Sequence, residues 1–215
     1  MNDKPKRYIS IDLELEQSST NVQCPDSAIT EERIIQVGAV VFELTKETEP
    51  LILKTECINI YYPYRLSNLI SKLCNIKSDD LLNSEETVLT AVKRLCDLRT
   101  EFDTSRILVQ WGGGDDVALN KESAGGLHSF GRSAYNAKHL YQLYKTANNK
   151  PTSGGLKAAL KALNMQFVPV VIGKRQYGAH NAAADALNTA RIFNALINKI
   201  SHREQVCVNP VSPQE

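Results

Sequence analysis

Five residues in this chain have the types and spacing for metal-ion chemistry. In "YISIDLELEQ" (8–17), Ile9, Ile11, Leu13 and Leu15 alternate with Ser10, Asp12, Glu14 and Glu16. That period of two makes a strand with one apolar face and a second face carrying successive carboxylates, with no Lys or Arg among them. Such a strand either turns its acids to water or uses them on a divalent cation, since hard cations take oxygen ligands. "LVQWGGGDDVALN" places Asp115 and Asp116 just past an apolar strand, where a strand end can present a carboxylate to a cleft. Gly and Asp are also ordinary turn and cap residues. In "GAHNAAADALNTARIF", His180 stands at the mouth of an alanine-rich helix and Asp185 follows five residues later. The small residues around Asp185 let that helix lie close to a sheet, within reach of the acids of the first strand. A buried carboxylate without a partner is costly, so a metal or a base is expected beside it.

The elements that must position these residues are legible from periodicity. Strands are expected at about 7–15, 33–44 ("RIIQVGAVVFEL"), 50–62 and 105–111, the second nearly continuous in apolar residues and therefore central. "LSNLISKL" and "SEETVLTAVKRLCDL" read as helices, the latter opening at Ser84. Further helices are expected at about 115–121, 135–147, 154–163 and 181–200, with "GKRQYGAH" a loop between the last two. Three strands, a helical stretch, another strand and more helices describe an α/β (α+β) domain with a mixed sheet. Residues 1–200 form one domain, and 201–215, with two prolines, form a loose tail.

At 215 residues and 42% apolar the chain can bury one sizeable core. No stretch is apolar enough to span a membrane, and "MNDKPKRYIS" lacks a signal peptide's apolar run, so a cytoplasmic location is expected. Its five cysteines are scattered without a C-x-x-C pair, which fits reduced thiols better than a disulfide or zinc framework. A net charge of +1 conceals an asymmetry: residues 120–203 hold 12 basic residues and two acids, Glu122 and Asp185. That suits either a solvated basic surface or a bound polyanion.

Taken together, Asp12-x-Glu14, Asp115 and the His180/Asp185 pair make an ordered set that resembles the DEDDh family of 3′–5′ exonucleases. "ERIIQVGAVVF", "LSNLISKLCNIKSDDL" and "GGLKAALKALNMQF" also resemble segments of that family, so the likeness covers about residues 7–199. The Trp-Gly-x-x-Asp form of the middle motif, Trp111 to Asp115, is most like the branch containing many RNA-processing members. The resemblance implies a ribonuclease H-like fold, with a mixed central sheet of about five strands flanked by helices. It implies that Asp12 bridges two Mg²⁺ or Mn²⁺ ions, that Glu14 and Asp185 complete the tighter one, and that Asp115 supports the second. His180 would be the base that takes a proton from the attacking water, a task suited to imidazole at neutral pH.

The implied activity is removal of 5′-nucleotides from the free 3′ end of single-stranded nucleic acid, with RNA slightly favoured over DNA. A ribonuclease H-like endonuclease and a non-catalytic nucleic-acid-binding relative are the alternatives. Lys174 and Arg175, just ahead of His180, are candidate phosphate contacts. Glu16 stands where the family more often has a small or polar residue near the terminal nucleotide, and Cys74-Asn75 replaces a frequent Thr-Gly, a change expected to alter only a turn. Asp116 remains an alternative to Asp115. The Gly- and Ser-rich stretch 121–137 is either a substrate flap or a poorly packed loop. Whether the chain forms a homodimer is left open.

Overall fold

A computed structural model describes residues 5–206 apart from residue 132. The period-two stretch forms β1 (Arg7–Glu16), the apolar run forms β2 (Arg33–Glu43), and β3 (Leu51–Asn59) follows. These join β4 (Ile107–Gln110) and β5 (Ser133–Asn136) in a five-stranded sheet of order β3-β2-β1-β4-β5. β1, β2 and β3 pair antiparallel with one another, whereas β4 runs parallel to β1 and β5 parallel to β4. Nine of the eleven residues of β2 are buried, as its nearly continuous apolar sequence requires of a central strand.

Among the described residues seven α-helices flank the sheet: α1 (Asn68–Cys74), α2 (Ser78–Leu82), α3 (Val88–Phe102), α4 (Asp115–Glu122), α5 (Ala137–Thr146), α6 (Leu156–Ala162) and α7 (Ala182–Val206). Ile9, Ile11, Val37, Ala39 and Val41 point to one face, where Ala91, Val92 and Leu95 of α3 and Leu119 of α4 cover them. Val40, Phe42 and Val109 point to the other face, under Ala183, Ala186, Ala190 and Phe193 of α7. Ser10, Asp12 and Glu14 alternate with the isoleucines, so Asp12 and Glu14 emerge on the α7 side.

Several expectations change in detail. α3 begins at Val88 rather than near Ser84. Its cap is Thr87, whose side chain and backbone exchange hydrogen bonds with Thr90, while Ser84 Oγ donates to the Asn59 carbonyl. The helix expected from 135 starts at Ala137, because 133–136 pair with β4. "GKRQYGAH" is not a plain loop: β6 (Val170–Ile172) and β7 (Arg175–Tyr177) form a small antiparallel hairpin, turning at Gly173 with φ 61°. α7 continues past 200 to Val206, and the remainder of the expected tail, 207–215, lies outside the described residues.

Within the 121–137 stretch, residues 127–130 are anchored on the core. Leu127 and Phe130 are buried against α3, and Arg99 Nη1 donates to the Ser129 and Phe130 carbonyls at 2.8 and 2.6 Å. Cys24, Cys57, Cys74 and Cys96 are free thiols. Among the described residues no helix is long and apolar enough to cross a membrane.

Candidate metal centre

Asp12, Glu14 and Asp185 converge where α7 begins over β1 and β2. Each offers a carboxylate oxygen, and these oxygens all lie within 4.8 Å of one another. Gly38 makes the approach possible. It pairs with Asp12 across the strands, and a Cβ at this position would overlap the backbone of Ala182. α7 therefore rests on bare backbone, and its first turn delivers Asp185 to the end of β1.

Hydrogen bonds fix that first turn. Gln36, opposite Glu14 on β2, accepts at Oε1 from Asn181 Nδ2 at 2.8 Å and from the Ala182 N–H at 3.0 Å. Its Nε2 donates to Asn59 Oδ1 at 2.8 Å, so the buried amide is engaged at both ends. Asn181 Oδ1 in turn accepts from the Ala183 and Ala184 N–H groups at 3.2 and 3.4 Å. His180 takes the left-handed conformation, φ 62°, and its N–H donates to Asp185 Oδ2 at 3.2 Å. Its imidazole is exposed at the helix mouth. The other carboxylate oxygen, Asp185 Oδ1, is buried with no hydrogen-bond partner among the described residues.

The electrostatics are those of an acidic cluster that needs a counter-charge. Burial, then Asp115, Asp185 and Glu14, push Asp12 well above the usual carboxylate range. Burial pushes Glu14 up to about 7, against an opposing hydrogen bond from Cys74, with Asp185 and Asp115 adding to the rise. Asp115 rises to about 7 through burial and the charge of Asp116. Burial raises Asp185 too, partly offset by the His180 N–H. A divalent cation would relieve the desolvation and repulsion and would give the orphaned Asp185 Oδ1 a partner. The donor set therefore fits such an ion.

Not every expected residue joins the cluster. Asp115 starts α4 and its charge bears on Asp12 and Glu14, yet it stands outside the group of three close oxygens. Asp116 turns away: its Oδ1 accepts from Gln110 Nε2 at 2.9 Å and its N–H donates to Gln110 Oε1 at 3.0 Å. Of the two, Asp115 is the one whose charge bears on Asp12 and Glu14. Glu16 is fully buried, accepting from the Gln17 and Ser67 N–H groups at 3.1 and 2.9 Å, so it presents nothing to a substrate in this structure. Lys174 is exposed in the hairpin turn, but Arg175 is paired with Asp80 of α2 at 3.4 Å. Arg191, counted in the basic region, is buried against Glu49 and the Gln166 carbonyl.

Sequence reasoning missed Gln36, Gly38, Asn181 and the hydrogen bond made by Cys74. A glycine inside an otherwise β-branched strand and an Asn at a helix start are readable signals for two of them. No local pattern marks the other two.

No family model and no curated protein sequence matches this chain. Solved structures do. The chain is similar to a 3′-exonuclease that recognises a histone mRNA stem-loop, with TM-score 0.62 and 19% identity over 91% of this chain and 64% of that one. It is similar to cell-death related nuclease 4, with TM-score 0.66 and 14% identity over 90% and 64%. It is also similar to S. pombe Pop2p in its Mg²⁺- and Mn²⁺-bound form, with TM-score 0.57 and 18% identity over 87% and 81%. The fold is ribonuclease H-like. This chain spans 64% of the length of the first and second of these structures. Within the ribonuclease H-like sheet of this chain, Asp12 and Glu14 lie at the end of the central β1, with Asp185 brought in by the last helix.

Proposed function

We propose that this protein is a divalent-cation-dependent 3′–5′ exonuclease. It hydrolyses phosphodiester bonds at the free 3′ end of single-stranded nucleic acid and releases 5′-nucleotides. The observation that carries this reading is the convergence of Asp12, Glu14 and Asp185 within 4.8 Å, with Asp185 Oδ1 buried and unpartnered and His180 exposed at the same helix mouth. Asp12, Glu14 and Asp185 would hold one Mg²⁺ or Mn²⁺, and Asp12 with Asp115 a second. When bound, two such ions supply an activated water and charge stabilisation for the leaving 3′-oxygen.

The chain's own groups do the rest. Asp185 Oδ2 holds the His180 backbone N–H, and the exposed imidazole is not used in that bond. A ring nitrogen of His180 accepts the proton of the attacking water as its oxygen bonds to phosphorus. The P–O3′ bond then breaks and the leaving oxygen is protonated from solvent. Exposed Lys174 in the β6–β7 turn and the basic excess of 120–203 favour the phosphate backbone. RNA is slightly favoured over DNA, on the resemblance of the Trp111-to-Asp115 motif to a branch with many RNA-processing members.

A digestion panel tests this. Matched RNA and DNA oligonucleotides, with free or blocked 3′ ends and in circular form, are incubated with Mg²⁺ or Mn²⁺ and then with chelator. Stepwise shortening of free-ended single strands, abolished by the block and by chelator, is expected. Cutting of circles would favour an endonuclease, and binding without cleavage would favour a non-catalytic relative.

A further inference from the structure

β1 ends in three acids on alternating positions, and the third is not spare. Buried Glu16 accepts the Ser67 N–H at Oε2, 2.9 Å away. Ser67 caps α1, its side chain accepting from the Ile70 N–H. At the other end of this short helix, Cys74 Sγ donates to Glu14 Oε2 at 3.0 Å. The direction of that thiol is set by its surroundings. Cys74 is 4% exposed among Leu66, Ile70, Ile76 and Leu81, and the next residue, Asn75, ends the helix in the left-handed conformation at φ 53°. α1 is thus tied to β1 at both ends, on Glu16 and on Glu14. Among the described residues Glu14 accepts no hydrogen bond except that of Cys74.

We propose that Cys74 is a positioning residue for the metal centre. Its thiol holds Glu14 Oε2 so that the other oxygen is presented to the ion shared with Asp12 and Asp185, and Glu16 anchors α1 so that the thiol arrives there. This rests on the metal-ion reading of the site. A neutral, weak donor suits the task. A Lys or Arg in its place would compete with the ion for the carboxylate, and an apolar side chain would leave that carboxylate free to rotate away. Cys74-Asn75, expected to alter only a turn, thus places a hydrogen-bond donor on Glu14 as well as forming a left-handed turn.

Mn²⁺ titration by calorimetry on the full chain tests the assignment without relying on activity. Cys74→Val removes the donor and keeps an apolar side chain at the cost of one added γ branch, and loss of such an outer partner typically weakens metal affinity about 10–100-fold. Cys74→Ser keeps a donor and should bind Mn²⁺ within a factor of about three of wild type. The Mn²⁺ concentration for half-maximal hydrolysis should rise in Cys74→Val, while the rate at saturating Mn²⁺ stays near wild type. Melting in chelator identifies a misfolded variant, in which case Cys74→Ala takes its place. Wild-type affinity in the Val or Ala variant would overturn the role of the thiol alone. So would a Ser variant as weak as Val. Absence of Mn²⁺ binding by the wild-type chain would overturn the metal-ion reading itself.

Discussion

Glu14→Gln should stabilise the metal-free protein and destabilise it relative to wild type once metal is added. Burial and neighbouring acids hold the Glu14 carboxyl near 7 instead of its ordinary 4.5 or so. Each unit of such a shift is worth about 1.4 kcal/mol, so the ionised carboxylate costs the fold about 3 kcal/mol at full effect. Solvent access and relaxation reduce this to about 2 kcal/mol, or roughly 4–8 °C in melting temperature for a chain of this size. The sign follows from proton counts. Below about pH 4.5 both folded and unfolded Glu14 are protonated, and the variant gains nothing. Between about 4.5 and 7 the unfolded chain has released its proton while the folded chain keeps it, so wild-type stability falls as pH rises. Above 7 the deficit is constant. Gln carries no charge, still offers Cys74 an oxygen, and escapes this penalty. With Mn²⁺ at about 100 times its dissociation constant the wild type gains about 2.7 kcal/mol, which the variant largely forgoes, so the order of stability reverses. Differential scanning fluorimetry at pH 4, 6 and 8, in chelator and in Mn²⁺, measures all of this. A variant that melts with or below wild type in chelator at pH 8 would refute the reasoning.

Gly38→Ala would set a Cβ into the backbone of Ala182 and should destabilise the fold by about 1–3 kcal/mol or more while abolishing Mn²⁺ binding, as read by urea unfolding and calorimetry. His180→Ala should bind Mn²⁺ as wild type does, yet lose ~10²–10⁴-fold in single-turnover rate; near-wild-type turnover would make the histidine a bystander. The log–log salt dependence of single-strand binding should become shallower by about 0.7 for each phosphate that Lys174→Ala/Arg175→Ala no longer neutralises. Because Arg175 is already paired with Asp80, Lys174 should carry most of that change in anisotropy titrations.

What was legible in the sequence were features with a local period. Strict alternation put Asp12 and Glu14 on one face of β1, and the apolar run of β2 marked it as central. The alanines around Asp185 showed that α7 could come close enough to deliver it. Features set by partners distant in sequence were not legible. Glu16 has the same alternation as its neighbours, yet Ser67, 51 positions away, buries it. Arg175, a candidate phosphate contact, is engaged by Asp80, 95 positions earlier. The β6 and β7 strands are three residues each, too short for any period to register. The hydrogen bond between Cys74 and Glu14 likewise depends on where α1 docks, which no spacing encodes.

The most direct test is the product ladder from a 5′-labelled single-stranded oligonucleotide incubated with Mn²⁺ and either the wild-type chain or Asp185→Asn. The account predicts that wild type shortens the labelled strand one nucleotide at a time from the 3′ end and releases 5′-mononucleotides, and that Asp185→Asn leaves the substrate intact while folding normally. Undiminished hydrolysis by Asp185→Asn, or internal fragments from the wild-type chain with no stepwise ladder, would contradict it.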